Sequence, residues 1–243
     1  MRLLPTKWTV GTAATLALTG AFAPVAFADS NTTPSSTAIS SGSSTVLASI
    51  KTRAATAIST RDSALQGALT AVNSNHYLAS ADRSAIVSTI NGDLTGLNAL
   101  APVIQADTTV SQARADYDSI FTSYRVFALV LPQARLAAAA DDITGSVLPR
   151  LEDAQSRLES LLAGADQSKD TAAVQAAMAD LQKQLSGMAS NTSGVSATVL
   201  GYKPADWNSN HAVLAPARAD LVSARGDAKQ ARADIETVIG AIK

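Results

Sequence analysis

The feature that most constrains this chain is a seven-residue repeat near its C-terminus. Leu214, Leu221, Ala228, Ile235 and Ile242 recur every seven positions, and Ala217, Ala224, Ala231 and Val238 interleave with them. Apolar residues spaced alternately three and four apart lie along one stripe of an α-helix, and a stripe this long must be covered by another helix. A matching pattern runs through Val174, Met178, Leu181, Leu185, Met188, Thr192, Val195 and Val199. Alanine at every other position of the C-terminal seam lets a neighbouring helix approach closely. Asn191-Thr192-Ser193-Gly194 interrupts the earlier pattern and is a place for it to break or kink. Unbroken, that helix would have about 30 residues and span ~45 Å. The two patterns are joined by Gly201-Tyr202-Lys203-Pro204-Ala205-Asp206-Trp207-Asn208-Ser209-Asn210. A connection of this length suits an antiparallel pair, and Ser209 or Asn210 is placed to cap the last helix.

The same periodicity extends upstream. Leu47, Ile50, Ala54, Ile58, Leu65, Leu69 and Val72 share one face of a first helix, which Asn73-Ser74-Asn75-His76 ends. Ser80 is a candidate N-cap for a second helix carrying Ile86, Ile90, Leu94, Leu97 and Leu100. Gly92 and Gly96 weaken that helix, so its stability must come from packing. Thr109 and Gln112 form a capping box for a third. Hairpin signals are missing, and the only β-like run is Val126–Leu131. The fold class expected is all-α: an elongated antiparallel helical bundle with long heptad-patterned helices over residues 45–243.

Residues 1–28 have the three parts of a secretory signal. Arg2 and Lys7 precede a long apolar stretch, and Ala26-Phe27-Ala28 supplies small residues at the cleavage positions before Asp29. The alternative is an uncleaved membrane anchor, because the stretch approaches the length that spans a bilayer. Residues 29–44 are rich in serine and threonine with almost nothing to bury, which implies a flexible tether. With no cysteine in the chain, disulfides, thiolate metal sites, cysteine nucleophiles and a lipoprotein anchor are excluded. Two histidines, His76 and His211, exclude a three-histidine metal centre. Cleavage after Ala28 leaves 17 positive and 20 negative charges, a net −3 that offers no whole-molecule attraction for nucleic acid. Export without disulfides points to a bacterial source, in which the Asn191-Thr192-Ser193 and Asn31-Thr32-Thr33 sequons carry no meaning.

The middle of the chain differs from the rest. Tyr117, Phe121, Tyr124 and Phe127 fall within eleven positions, and Val126–Leu131 is apolar all round, which implies burial on every side. Pro132 and Pro149 are expected at the first turn of a helix or at kinks. The segment from Tyr124 to Leu136, Tyr-Arg-Val-Phe-Ala-Leu-Val-Leu-Pro-Gln-Ala-Arg-Leu, followed later by Pro204-Ala205-Asp206-Trp207-Asn208, resembles uncharacterised exported helical proteins of actinobacterial type. The resemblance implies a helical fold and an export route, and no chemistry.

Candidate ligand-binding residues are Tyr124, Arg125, Arg135 and Asp142, the ionisable and aromatic groups in this apolar region. Arg135 and Asp142 are seven apart and share a helix face, so they could hold a ligand or form an ion pair that fixes register. Asp141 and Asp142 point about 100° apart on a helix, so they cannot act together as an acid/base pair. Trp207, the only tryptophan after residue 28, is either a partner anchor or a plug at the bundle end. Gly-rich phosphate loops, His-Glu-x-x-His and Gly-x-Ser-x-Gly do not occur, so neither a metal nor a cofactor is expected. The expectation is a secreted or cell-surface bundle that binds, or serves as a structural element of the cell envelope. The alternative is an exported enzyme or small-ligand binder using the Arg125/Arg135/Asp142 region. Partners would be a protein or an envelope component, with membrane contact only through an uncleaved signal; an open heptad seam would also allow a homo-oligomer.

Overall fold

A computed structural model describes residues 36–243, with side chains from Gly42 onward. The signal expected at residues 1–28 and the start of the tether lie outside the described residues. All regular structure among the described residues is helical. The helices are α1 (Ser36–Ser74), α2 (Ser80–Ala106), α3 (Val110–Thr122), α4 (Leu131–Asp142), α5 (Leu148–Ala163), α6 (Ala172–Thr192), α7 (Val195–Gly201), α8 (Pro204–Ser209) and α9 (Ala215–Ile242). Helices α1, α2 and α3 pack on one another, α5, α6 and α9 do the same, and α4 with α7 joins the two groups. One buried cluster runs through both, and a smaller one of Leu158, Leu162, Val174 and Val238 closes the far end.

The heptad segments are each other's cover: α6 and α9 form the most extensive helix pair. Leu214 just ahead of α9 and Ala217, Leu221, Ala224, Ala228, Ala231 and Val238 on it are buried, as are Val174, Leu181, Leu185 and Met188 on α6. The seams that could have sought a second chain are therefore occupied within this one. Gly194 breaks the longer pattern, with φ at +69°, a left-handed conformation that costs other residues energy. The chain then re-enters helix as α7, keeping Val195 and Val199 in the core.

Three helix starts and one expected burial differ from the sequence reading. Helix α1 begins at Ser36, inside the segment composition assigns to a tether. Extending a helix already nucleated by packing at Ile50 and beyond costs far less than starting one. Ser80 is the first helical residue of α2, whose N-cap is Ala79 with no side-chain cap. The Asp141 carboxylate from α4 accepts the Ala79 N–H instead, at 2.8 Å. The N-cap of α9 is Leu214, not Ser209 or Asn210, and Asn210 Oδ1 accepts from Ala212 N in a turn ahead of it. The Val126–Leu131 run is not buried all round, since Phe127 is 48% exposed.

That run is a π-helical turn, Val126–Val130, and a second one occupies Ile143–Val147. Each is followed two residues later by a proline, Pro132 and Pro149. Proline has no N–H and its ring clashes with the carbonyl four residues back. Widening the preceding turn lets Leu131 N donate to Val126 O, and Leu148 N to Ile143 O, so helical structure continues from Val126 to Ala163. The other end of α1 is closed from outside. The Arg83 guanidinium on α2 donates to the carbonyls of Val72, Asn75 and Leu78, satisfying groups a helix C-terminus leaves open.

Candidate functional site

The widened helix around α4 has a different environment on each flank. On one side it faces α1, on the other α2 and α7. The expected site residues divide between these flanks instead of converging.

Arg125 takes a left-handed conformation with φ at 47°, the one non-glycine residue with positive φ among the described residues. That conformation is uncommon for an arginine. It is held where the chain turns out of α3, with Arg125 Nε donating to Asn208 Oδ1 at 2.5 Å. Asn208 Nδ2 in turn donates to the Thr122 carbonyl at 3.0 Å, so α8 acts as a clip over the end of α3. Trp207, on the same short helix, is half-buried against the main core and stacks on His211 with ring centroids 5.6 Å apart.

Arg135 and Asp142 are both exposed, so the buried register-fixing ion pair is not formed. The buried acid is their neighbour. Asp141 accepts from Ala79 N at 2.8 Å through Oδ2 and from the Ser196 hydroxyl at 2.8 Å through Oδ1. Asp82 on α2 stands against the same pair. Burial pushes its carboxyl above the usual range, and the charge of Asp141 and a hydrogen bond to it push further, while Ser196 opposes. Three elements are thus tied at one polar junction. These bonds run between α2, α4 and α7, and their evident work is to fix how the three dock.

Further along the same face of α2 lies Asp93. With Ile86, Thr89, Gln133 and Lys203 it lines a small cavity of about 50 Å³ between α2, α4 and α7. Gln133 is buried and donates its amide to the carbonyls of Val199 and Tyr202, at 2.5 and 2.8 Å, closing the end of α7. Asp93 Oδ2 is shut from solvent and has no hydrogen-bond partner. Burial raises the Asp93 carboxyl to about 6. Tyr124 lies close by, its phenol pushed up by burial and then by the Asp93 charge.

On the opposite flank, α1 and α4 diverge around a groove of about 500 Å³. Ala64, Gly67, Ala68 and Ala71 form its wall on α1, facing Leu131 and Ala134. Phe127 and Arg135 also line it. Phe127 covers Arg61, whose guanidinium carbon is 5.4 Å from that ring and 4.3 Å from the Phe121 ring. Arg61 is 9% exposed, donates to Ala57 O at 2.9 Å and has no partner at Nε. Burial lowers its pKa, partly offset by Tyr117.

Asp93 and Arg61 were within reach of the sequence. Asp93 is seven residues after Ile86 and three after Ile90, and Arg61 is three after Ile58 and four before Leu65. Each is a charged residue on the buried stripe of its helix, where an unexplained polar group stands out. Among the described residues, no group of three His, Asp or Glu side chains is placed to hold a metal ion. No helix among them is long and apolar enough to cross a membrane. Comparison with protein-family models, curated proteins and solved structures returns no match.

Proposed function

We propose that this chain is an exported helical bundle that works by binding at the cell envelope, with the groove between α1 and α4 as its binding surface. The observation that carries this reading is Phe127, a large apolar ring 48% exposed in a groove walled by alanine and glycine. An uncovered aromatic beside a concave apolar surface is a typical recognition feature. Arg135, the one charged residue lining the groove among the described residues, stands about two turns, or about 12 Å, from Phe127 along the continuous helix formed by the widened turn and α4. Small side chains on α1 leave room for a slender aliphatic chain, and the guanidinium suits an anionic head. The partner class is therefore an anionic amphiphile with a single aliphatic chain. Export rests on the three-part N-terminal segment and on the resemblance to exported helical proteins.

Titration of the mature chain with dodecanoate tests the reading, with dodecanol as the uncharged control. Saturable one-to-one binding is expected, weakened roughly tenfold by Arg135→Ala. Gly67→Leu should block it without harming the fold, because a β-carbon at Gly67 meets nothing within 4 Å. Dodecanoate binding that both variants leave unchanged would overturn the assignment of the groove. The export half is read separately, from an intact mass of secreted material beginning at Asp29.

A further inference from the structure

The face that α5 and α9 present together is basic, although the chain as a whole is not. On α9, Arg218, Val222, Arg225, Lys229 and Arg232 are spaced alternately four and three apart and are all exposed, so they form one ridge about 21 Å long. Asp220, Asp227 and Asp234 each follow an arginine by two residues, which puts them about 200° round the helix. That flank packs on α6, where Asp227 accepts from Asn191. The arginines are left on the flank away from α6. Helix α5 repeats the division. Glu152, Gln155 and Glu159 line a recess against α6, with Gln155 donating to Gln182. Arg150, Arg157 and Leu161 fall on the opposite flank, on the side of α9. Helix α9 packs on α4 as well as α5, and its far end, at Val238, meets Leu158 and Leu162, so α5 and α9 run in the same direction. The two basic flanks therefore border one seam, between axes about 8–10 Å apart.

Six cations stand along this seam against two acids, Asp153 and Glu236. Among the described residues only the Arg150 side chain is engaged, donating to the Tyr77 hydroxyl at 3.0 Å. Cations grouped in this way set up a local positive potential that acids more than a Debye length away do not cancel. Uncovered apolar side chains share the face: Val222 on the ridge is 67% exposed, and Leu161 and Tyr77 border it. A soluble polyanion would call only for the charges. Guanidinium groups interleaved with exposed apolar side chains match a bilayer interface, where phosphates overlie acyl chains. We propose that the α5–α9 face is a docking surface for an anionic phospholipid bilayer, a contact separate from any made by the N-terminal apolar segment.

The test is sedimentation with unilamellar vesicles of phosphatidylglycerol and phosphatidylcholine, compared with vesicles of phosphatidylcholine alone. The protein is the chain from Asp29 onward, which keeps every described residue and omits the apolar segment. Binding is expected to the anionic vesicles only, and to be lost at high salt. A basic residue near such a surface contributes about fivefold, so Arg225→Ala with Arg232→Ala should lower the partition coefficient by roughly tenfold or more. Arg53→Ala with Arg114→Ala makes the same charge change at exposed positions of α1 and α3, and should alter it by less than about threefold. Val222→Ser should weaken binding severalfold with no change of charge. All five positions are exposed, so melting curves should match wild type and show each variant folded. Equal binding to both kinds of vesicle, or equal loss in the two double variants, overturns the proposal. So does binding that Val222→Ser leaves unchanged and soluble polyphosphate abolishes, which would assign the face to a soluble polyanion instead. Dodecanoate binding in the groove should be the same in Arg225→Ala with Arg232→Ala, so the two assignments fail independently.

Discussion

Tyr124 occupies the space beside Gly96 so fully that a β-carbon on residue 96 would stand 2.6 Å from both its Cε1 and its hydroxyl. The contact joins the middle of α2 to the turn that leads into the widened helix, one residue before the left-handed Arg125. Gly96→Ala should therefore displace the ring and destabilise the fold by about 1–3 kcal/mol. In a Tyr124→Ala background the same change should be neutral or slightly stabilising, because alanine is the better helix former. A double-mutant cycle by urea denaturation reads the coupling directly.

Asp93 makes stability depend on pH in a direction opposite to a salt-bridged acid. Its folded carboxyl titrates near 6 against an ordinary value of 3.8, so between these values the native state holds a proton that the unfolded chain has released. Stability should fall as pH rises from about 4 through about 6, and level off above. Asp62 and Asp82, also raised by burial, act in the same direction. Asp93→Asn should flatten much of this slope and stabilise the protein at pH 7.5 by about 1–2 kcal/mol. Denaturation midpoints at a series of pH values, wild type against variant, measure it.

The acids at the end of α4 should differ sharply despite being adjacent. Asp141→Ala strands the Ala79 N–H and leaves the Ser196 hydroxyl only its longer bond to the Ala137 carbonyl, at 3.3 Å, at a cost of about 1–3 kcal/mol. Asp142→Ala and Arg135→Ala alter exposed side chains and should each stay within about 0.5 kcal/mol. Chemical denaturation of the three variants separates them, and a large effect at Asp142 would mean the docking of α4 is wrong.

Local patterns carried most of the architecture. The α6–α9 seams, the Thr109 N-cap and the interruption at Gly194 depend on residues close in sequence, and each stands where its spacing puts it; the full capping box does not form, since the Gln112 side chain accepts from the Thr109 hydroxyl and not from its backbone N–H. Pro132 and Pro149 marked the disturbed turns, although spacing alone does not say that the helix widens instead of bending. The N-terminus of α2 is not legible from its neighbours, because the group that accepts its Ala79 N–H is Asp141, 62 residues away. The candidate sites were less legible for the same reason. Tyr124 and Arg135, grouped by their nearness in sequence, are separated by α4 itself, one beside Asp93 and the other in the groove. Asp82, Asp141 and Ser196 meet only because three helices dock, which no spacing rule contains.

The most direct test of the binding role is to find where an amphiphile sits. A stearate carrying a nitroxide on its chain, added to isotopically labelled mature protein, broadens the amide signals nearest to it. Broadening strongest at residues 64–74 of α1 and 127–138 of the widened helix and α4, and lost in Gly67→Leu, is the result the groove requires. Broadening at the Leu158–Val238 end of the bundle, or a pattern that Gly67→Leu leaves unchanged, would contradict it.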